Sequence, residues 1–158
     1  MKYDDASWHY EGDYPADLPD ENAATHIGMF VAWCIASDLM SDEAKEDFAE
    51  DMAAVKARQM TGRDYLITNC DEKFYSGDLS EQGNQFAKDY YDGEKSKFVK
   101  KYAEYMQDYC DIFNEKAEKA GFEYASVYHV ENSWENYELV AKMLDGRFAQ
   151  WKVMNYIQ

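Results

Sequence analysis

The stretch NAATHIGMFVAWCIASDL, residues 22–39, decides the fold. Ile27, Phe30, Val31, Cys34, Ile35 and Leu39 recur at helical spacing. Between Ile27 and Ala36 the stretch is apolar nearly all round, a pattern a helix carries when neighbours cover every side. The spacing predicts a central buried helix over 22–39. His26 and Gly28 interrupt its first turns, and His26 is expected to be a hydrogen-bonded structural group near the helix start.

Working outward toward the C-terminus, Ser41 is placed to cap a second helix reaching about Met60, with Asp42 and Glu43 in its favourable first turn. Its inner line is Ala44, Phe48, Met52 and Val55, with Gln59 continuing it. The opposite line is Glu43, Glu46, Asp47 and Glu50, flanked by Asp42 and Asp51 and relieved only by Lys45. Acids three and four apart on a helix repel by a few tenths of a kcal/mol per pair, about 0.2–0.5. Solubility does not require that crowding.

A short helix is predicted over Gly62–Asn69, then a turn through CDEKFYSGD, then a helix capped by Ser80. The clearest pattern follows Gly93, where Phe98, Tyr102, Tyr105, Met106, Tyr109 and Phe113 line one long helix and Gly121 fits its terminator. Lys95, Lys97, Lys100 and Lys101 give that helix a basic start able to pair with the acidic stripe. FEYASVYHV, residues 122–130, suits a short strand or an extended link. Ser133 caps a final helix striped with Tyr137, Val140, Ala141, Leu144, Phe148 and Trp151. Residues 1–21 read instead as an extended arm: Gly12, Pro15 and Pro19 forbid a continuous helix, and Tyr3, Trp8, Tyr10 and Tyr14 are its expected anchors.

The expected fold is mainly α: an irregular bundle of about five to six helices with an extended N-terminal arm and room for a short β element. The 158 residues suit a single domain over 1–158, burying roughly two-thirds of the unfolded surface. Three widely spaced cysteines without a CxxC pair point to a reducing compartment, not to a disulfide scaffold or a zinc site. MKYDDASWHYEGDYP has no apolar signal-peptide core, and no run approaches a membrane span, so a cytoplasmic location is expected.

Charge is strongly one-sided. Residues 1–55 hold fourteen acids against Lys2 and Lys45, in a chain of net charge −16. Such a field repels nucleic acid and acidic membranes and attracts a basic protein at a steered rate. The expected contact residues are Glu43, Glu46, Asp47, Glu50 and Asp51, with Asp13, Asp17 and Asp20 beside them. Phosphate-loop, dinucleotide-binding, HExxH and GxSxG motifs are absent, so no catalytic residue, cofactor or metal ligand is assigned. Two alternatives remain: a nucleic-acid mimic that inhibits DNA-binding enzymes, and a small enzyme using His9 or His26 with carboxylates, for example His9 oriented by Asp4 or Asp5.

KYDDASWHYEGDYPADLPDENAATHIGMFVAW, residues 2–33, resembles an uncharacterised bacterial domain family whose relatives keep a D-D-A-S-W-H-Y core, a D-L-P and a T-H-I-G-M-F-x-x-W block. CDEKF (70–74), EQGNQFAKDYY (81–91) and VYHVENSWENY (127–137) are similar as well, so the likeness spans most of the chain. The resemblance implies a small soluble protein without catalysis, and an immunity role against interbacterial toxins as in some members. It supplies no site residues. Asp4, Asp5, Trp8, His9, Thr25, His26 and Trp33 are expected to be fold-defining contacts. The combined expectation is an acidic immunity-type protein that neutralises a basic toxin domain.

Overall fold

The computed structural model describes residues 1–156; residues 157–158, the last two of the expected domain, lie outside the described residues. The chain runs through β1 (Lys2–Asp5), α1 (Ala6–Tyr10), α2 (Thr25–Ala36), α3 (Asp42–Asp47), α4 (Ala49–Lys56), α5 (Gly62–Cys70), β2 (Lys73–Tyr75), α6 (Glu81–Tyr90), α7 (Lys97–Lys101), α8 (Tyr105–Ala120) and α9 (Trp134–Tyr156). Single 3-10 turns lie at Asp20–Ala24, Ser76–Asp78 and Val127–His129. The fold is mainly helical with one small antiparallel sheet.

α2 is the axis, buried at every residue from Thr25 to Ile35 as its all-round apolar pattern requires. Its closest neighbour is α5. The two approach through Gly28 and Gly62, where a Cβ on either residue would collide with the other helix's backbone. Glycine is needed here for close approach rather than for an unusual φ. α9 closes another side, and Trp33 Nε1 donates to Asp145 Oδ1 at 2.9 Å. Phe30 packs against Trp33, Phe74, Tyr91 and Tyr105, which makes the interior largely aromatic. Of the fourteen tyrosines, seven are buried, so half of this residue type fills core rather than edge.

The predicted caps form. Ser41, Ser80 and Ser133 each accept from the backbone N–H three residues on, at 3.1, 3.1 and 3.2 Å. Gly121 ends α8 in the left-handed region at φ 80°.

Four expectations need correction. The helix expected over 41–60 breaks at Phe48 (φ −127°, ψ 30°), and the Phe48 ring lies edge-on to Tyr65. The long helix after Gly93 is two helices, since Tyr102 leaves helical geometry (φ −118°, ψ −88°) before α8 begins. Residues 122–130 are irregular around the 127–129 turn. The β element lies elsewhere, because β1 pairs antiparallel with β2 through Lys2↔Tyr75, Asp4↔Phe74 and Asp5↔Lys73. The reversal into β2 uses two consecutive left-handed residues, Asp71 and Glu72 (φ 52° and 56°). The arm is therefore tied down: a strand, a one-turn helix and an irregular stretch from Glu11 to Pro19. Tyr3 is buried and Tyr10 and Tyr14 half-buried as anchors, but Trp8 is 54% exposed and only lies beneath Lys2 Nζ, 4.8 Å from its ring.

Candidate functional site

Asp5 starts the local geometry. It sits extended at the N-cap of α1 and accepts from Ser7 N–H at 2.9 Å and the Ser7 hydroxyl at 2.7 Å. The single helical turn that follows brings His9 back over Asp4, the preceding residue of β1. The 20–24 turn then delivers the first residues of α2, placing His26 against the same carboxylate. β1, α1 and α2 thus meet at one point.

Asp4 is 7% exposed and His26 2%. Asp4 Oδ1 accepts from its neighbour's Asp5 N–H at 2.8 Å and from His9 Nε2 at 2.8 Å. Asp4 Oδ2 accepts from the Tyr91 hydroxyl at 2.5 Å. His26 Nε2 faces the same oxygen at 3.4 Å without forming a hydrogen bond, and it has no other partner. An unpaired buried polar atom of this kind costs about 1–3 kcal/mol. The His9 and His26 rings meet edge to face with centroids 4.6 Å apart. On the far side, His9 Nδ1 lies 2.8 Å from the Tyr128 hydroxyl. The Tyr105 hydroxyl donates to the His26 carbonyl at 2.6 Å and fixes the start of α2.

The protonation states follow from these contacts. Burial alone would raise the Asp4 carboxyl, but the neighbouring His26 and the His9 hydrogen bond hold it well below the usual carboxylate range. Burial depresses His26 below its ordinary value despite the Asp4 charge, so that ring is neutral. Burial and then the Asp4 charge push the Tyr91 hydroxyl well up, and Tyr128 rises for the same reasons. Because an ionised carboxylate only accepts, His9 Nε2 carries a proton toward Asp4, and Nδ1 shares a hydrogen bond with the Tyr128 hydroxyl. Asp4, His9 and Tyr128 therefore form one hydrogen-bonded line.

Of the residues singled out in sequence, Asp4, His9 and His26 converge. Asp4, not Asp5, is the carboxylate that orients His9. Thr25 accepts from Arg63 Nη1 at 3.2 Å, and Trp33 is a core residue. Tyr91 and Tyr128 were missed, since their spacing to Asp4 carries no local signal. A cavity of about 660 Å³ opens beside the end of α8, lined by Asn114, Glu118, Phe122 and Tyr124 and by none of Asp4, His9 or His26.

The acidic residues are distributed differently. Glu43, Glu46 and Asp47 on α3 and Glu50 on α4 are exposed, with the Phe48 break between the two groups. Asp51 is half-buried and accepts from Asn69 Nδ2 at 2.9 Å. Asp13 and Asp20 are exposed, and Asp17 lies 3.0 Å from His129 Nε2. Lys45 turns to Asp38 at 2.8 Å rather than to the stripe. Lys95, Lys97, Lys100 and Lys101 are exposed, and none of the ion pairs between described residues joins them to Glu43, Glu46, Asp47 or Glu50. The basic start of the 95–120 region does not neutralise the acidic face. No helix among the described residues is long and apolar enough to cross a membrane.

These features define a mainly helical protein built around one buried helix, with a charged cluster sealed at the junction of its N-terminal ribbon and that helix. The chain belongs to a family described as a domain of unknown function (DUF7832), whose model matches residues 2–130. That span includes Asp4, His9, His26, Tyr91 and Tyr128 and stops short of α9. No curated protein and no solved structure matches the chain.

Proposed function

We propose that this is a non-catalytic binding protein whose acidic face on α3 and α4 receives a basic protein partner. In its finer form the reading is an immunity-type protein that neutralises a cognate bacterial toxin in the cytoplasm. One observation carries it: Glu43, Glu46, Asp47 and Glu50 are exposed and take part in no ion pair between described residues. Carboxylates crowded on a short helix repel one another, and a cationic partner relieves that repulsion and is steered toward the face. The resemblance in residues 2–33 supports the toxin as the partner. Regular phosphate mimicry is a poorer fit, since the Phe48 break divides the acids into two short groups.

The test begins with a pull-down from the native cell, which identifies the partner. Joint charge reversal, Glu46→Lys with Glu50→Lys, is then expected to slow association about tenfold and to make the remaining rate nearly insensitive to salt. Unaltered association and unaltered protection from the toxin would refute the acidic face. The Asp4–His9–Tyr128 line favours a second reading, a small enzyme working through His9. Tyr128→Phe breaks that line with little change in volume, and full protection by this variant decides against catalysis.

A further inference from the structure

We infer that Asp4, His9 and His26 form a binding site for one divalent transition-metal cation of the zinc type. This inference is independent of the partner reading, because the cluster lies apart from the α3–α4 face in sequence and shares no residue with it. Two imidazoles and one carboxylate are a borderline donor set that suits zinc and its neighbours rather than calcium or magnesium. One donor atom from each residue lies within 4.8 Å of the other two, so a small inward shift of the side chains lets a single ion touch all three.

The second observation is the His26 ring. Its Nε2 is buried, unpartnered and aimed at the carboxylate from 3.4 Å. Donors held about 2.0–2.1 Å from a tetrahedral ion are roughly 3.4 Å apart. That spacing is too long for a good hydrogen bond in this alignment and fits two ligands of a common ion. A neutral imidazole is the ligand form of histidine, and His26 Nε2 offers its lone pair once the proton facing Asp4 moves to Nδ1. His26 thus has, in a bound cation, the partner that it lacks among protein atoms.

The surrounding contacts are those that hold metal ligands in place. His9 coordinates through Nε2 as the neutral ring with its proton on Nδ1, which then donates to the Tyr128 oxygen. Asp5 N–H continues to hold Asp4 Oδ1, the Tyr91 hydroxyl holds Oδ2, and the Tyr105 hydroxyl holds the His26 backbone. The His9 side chain is partly exposed while Asp4 and His26 are sealed, so the ion enters past His9 and solvent supplies any further ligand on that side. A bound cation would join β1, α1 and α2 at Asp4, where His26 of α2 otherwise forms no hydrogen bond.

The test uses the full chain, stripped with a chelator and titrated with Zn²⁺. Calorimetry is expected to give one ion per chain together with a raised Tm. In the unmodified protein, the ring nitrogen resonances of His9 and His26 should shift on saturation while those of His129 stay. His9→Gln should abolish this stoichiometric binding. Tyr128→Phe, which touches only the outer hydrogen bond, should weaken it about tenfold. Glu43→Gln with Glu46→Gln should leave it intact, which separates the site from weak attraction to the acidic face. Unshifted His9 and His26 rings, or binding that survives His9→Gln, would overturn the inference. The ring resonances decide the matter even if a variant fails to fold.

Discussion

The carboxylates of residues 1–21 and those of residues 38–51 are equal in number, seven each, but only the first group includes buried members. In the first group Asp4 and Asp5 are buried, one gathering His9, His26 and Tyr91, the other capping α1. Asp17 is held by His129. In the second group Glu43, Glu46, Asp47 and Glu50 project from short helices and take part in no ion pair between described residues. Net charge summed along a sequence counts all of these alike, although Asp4 and Asp5 build the fold and Glu43, Glu46, Asp47 and Glu50 face solvent. Burial, not sign, separates them: a carboxylate in the interior must be matched by donors, whereas one at the surface is matched by water.

Substitutions sharpen this contrast in order of effect. Asp4→Ala leaves the His9, Tyr91 and Asp5 donors unmatched in the interior and is expected to destabilise by about 3–5 kcal/mol, read by urea unfolding. Gly28→Ala, in the close contact with Gly62, forces α2 and α5 apart and should lose about 3 kcal/mol in the same assay. Asp5→Ala removes the α1 cap and the partly exposed Lys2 ion pair and should lose about 1–2 kcal/mol, with Asp5→Asn or Asp5→Ser restoring much of the cap. Glu43→Gln belongs to the other region, and its unfolding curve should superimpose on that of the unmodified chain.

Much of the fold was legible because its strongest signals are local. The apolar run from Ile27 to Ala36, the serines at 41, 80 and 133 and the glycine at 121 each act over a few residues, and the buried helix, the three caps and the terminator all form. The breaks at Phe48 and Tyr102 carry no glycine or proline. They reflect how aromatic side chains settle against distant partners, such as Phe48 on Tyr65, which periodicity does not encode. The ribbon was missed because KYDD lacks the β-branched alternation of a strand, and β1 exists by pairing with KFY seventy residues later. The site was half legible: His9 could be paired with Asp4 on proximity in sequence. His26 and Tyr91 reach the carboxylate, and Tyr128 reaches His9, only through the packing of α2, α6 and the 127–129 turn. α9 lies beyond the family match, yet supplies Asp145 to Trp33, Arg147 to Asp108 and Trp151 to the core.

The most direct test sets two isosteric changes side by side in urea, Asp4→Asn and Glu46→Gln. Each removes one negative charge and almost no volume. The account predicts that Asp4→Asn lowers the unfolding free energy by about 2–3 kcal/mol, as expected for weakening a buried charged acceptor, while Glu46→Gln leaves it unchanged. Equal effects from the two substitutions would contradict the division of this protein's acids into a structural set and a surface set.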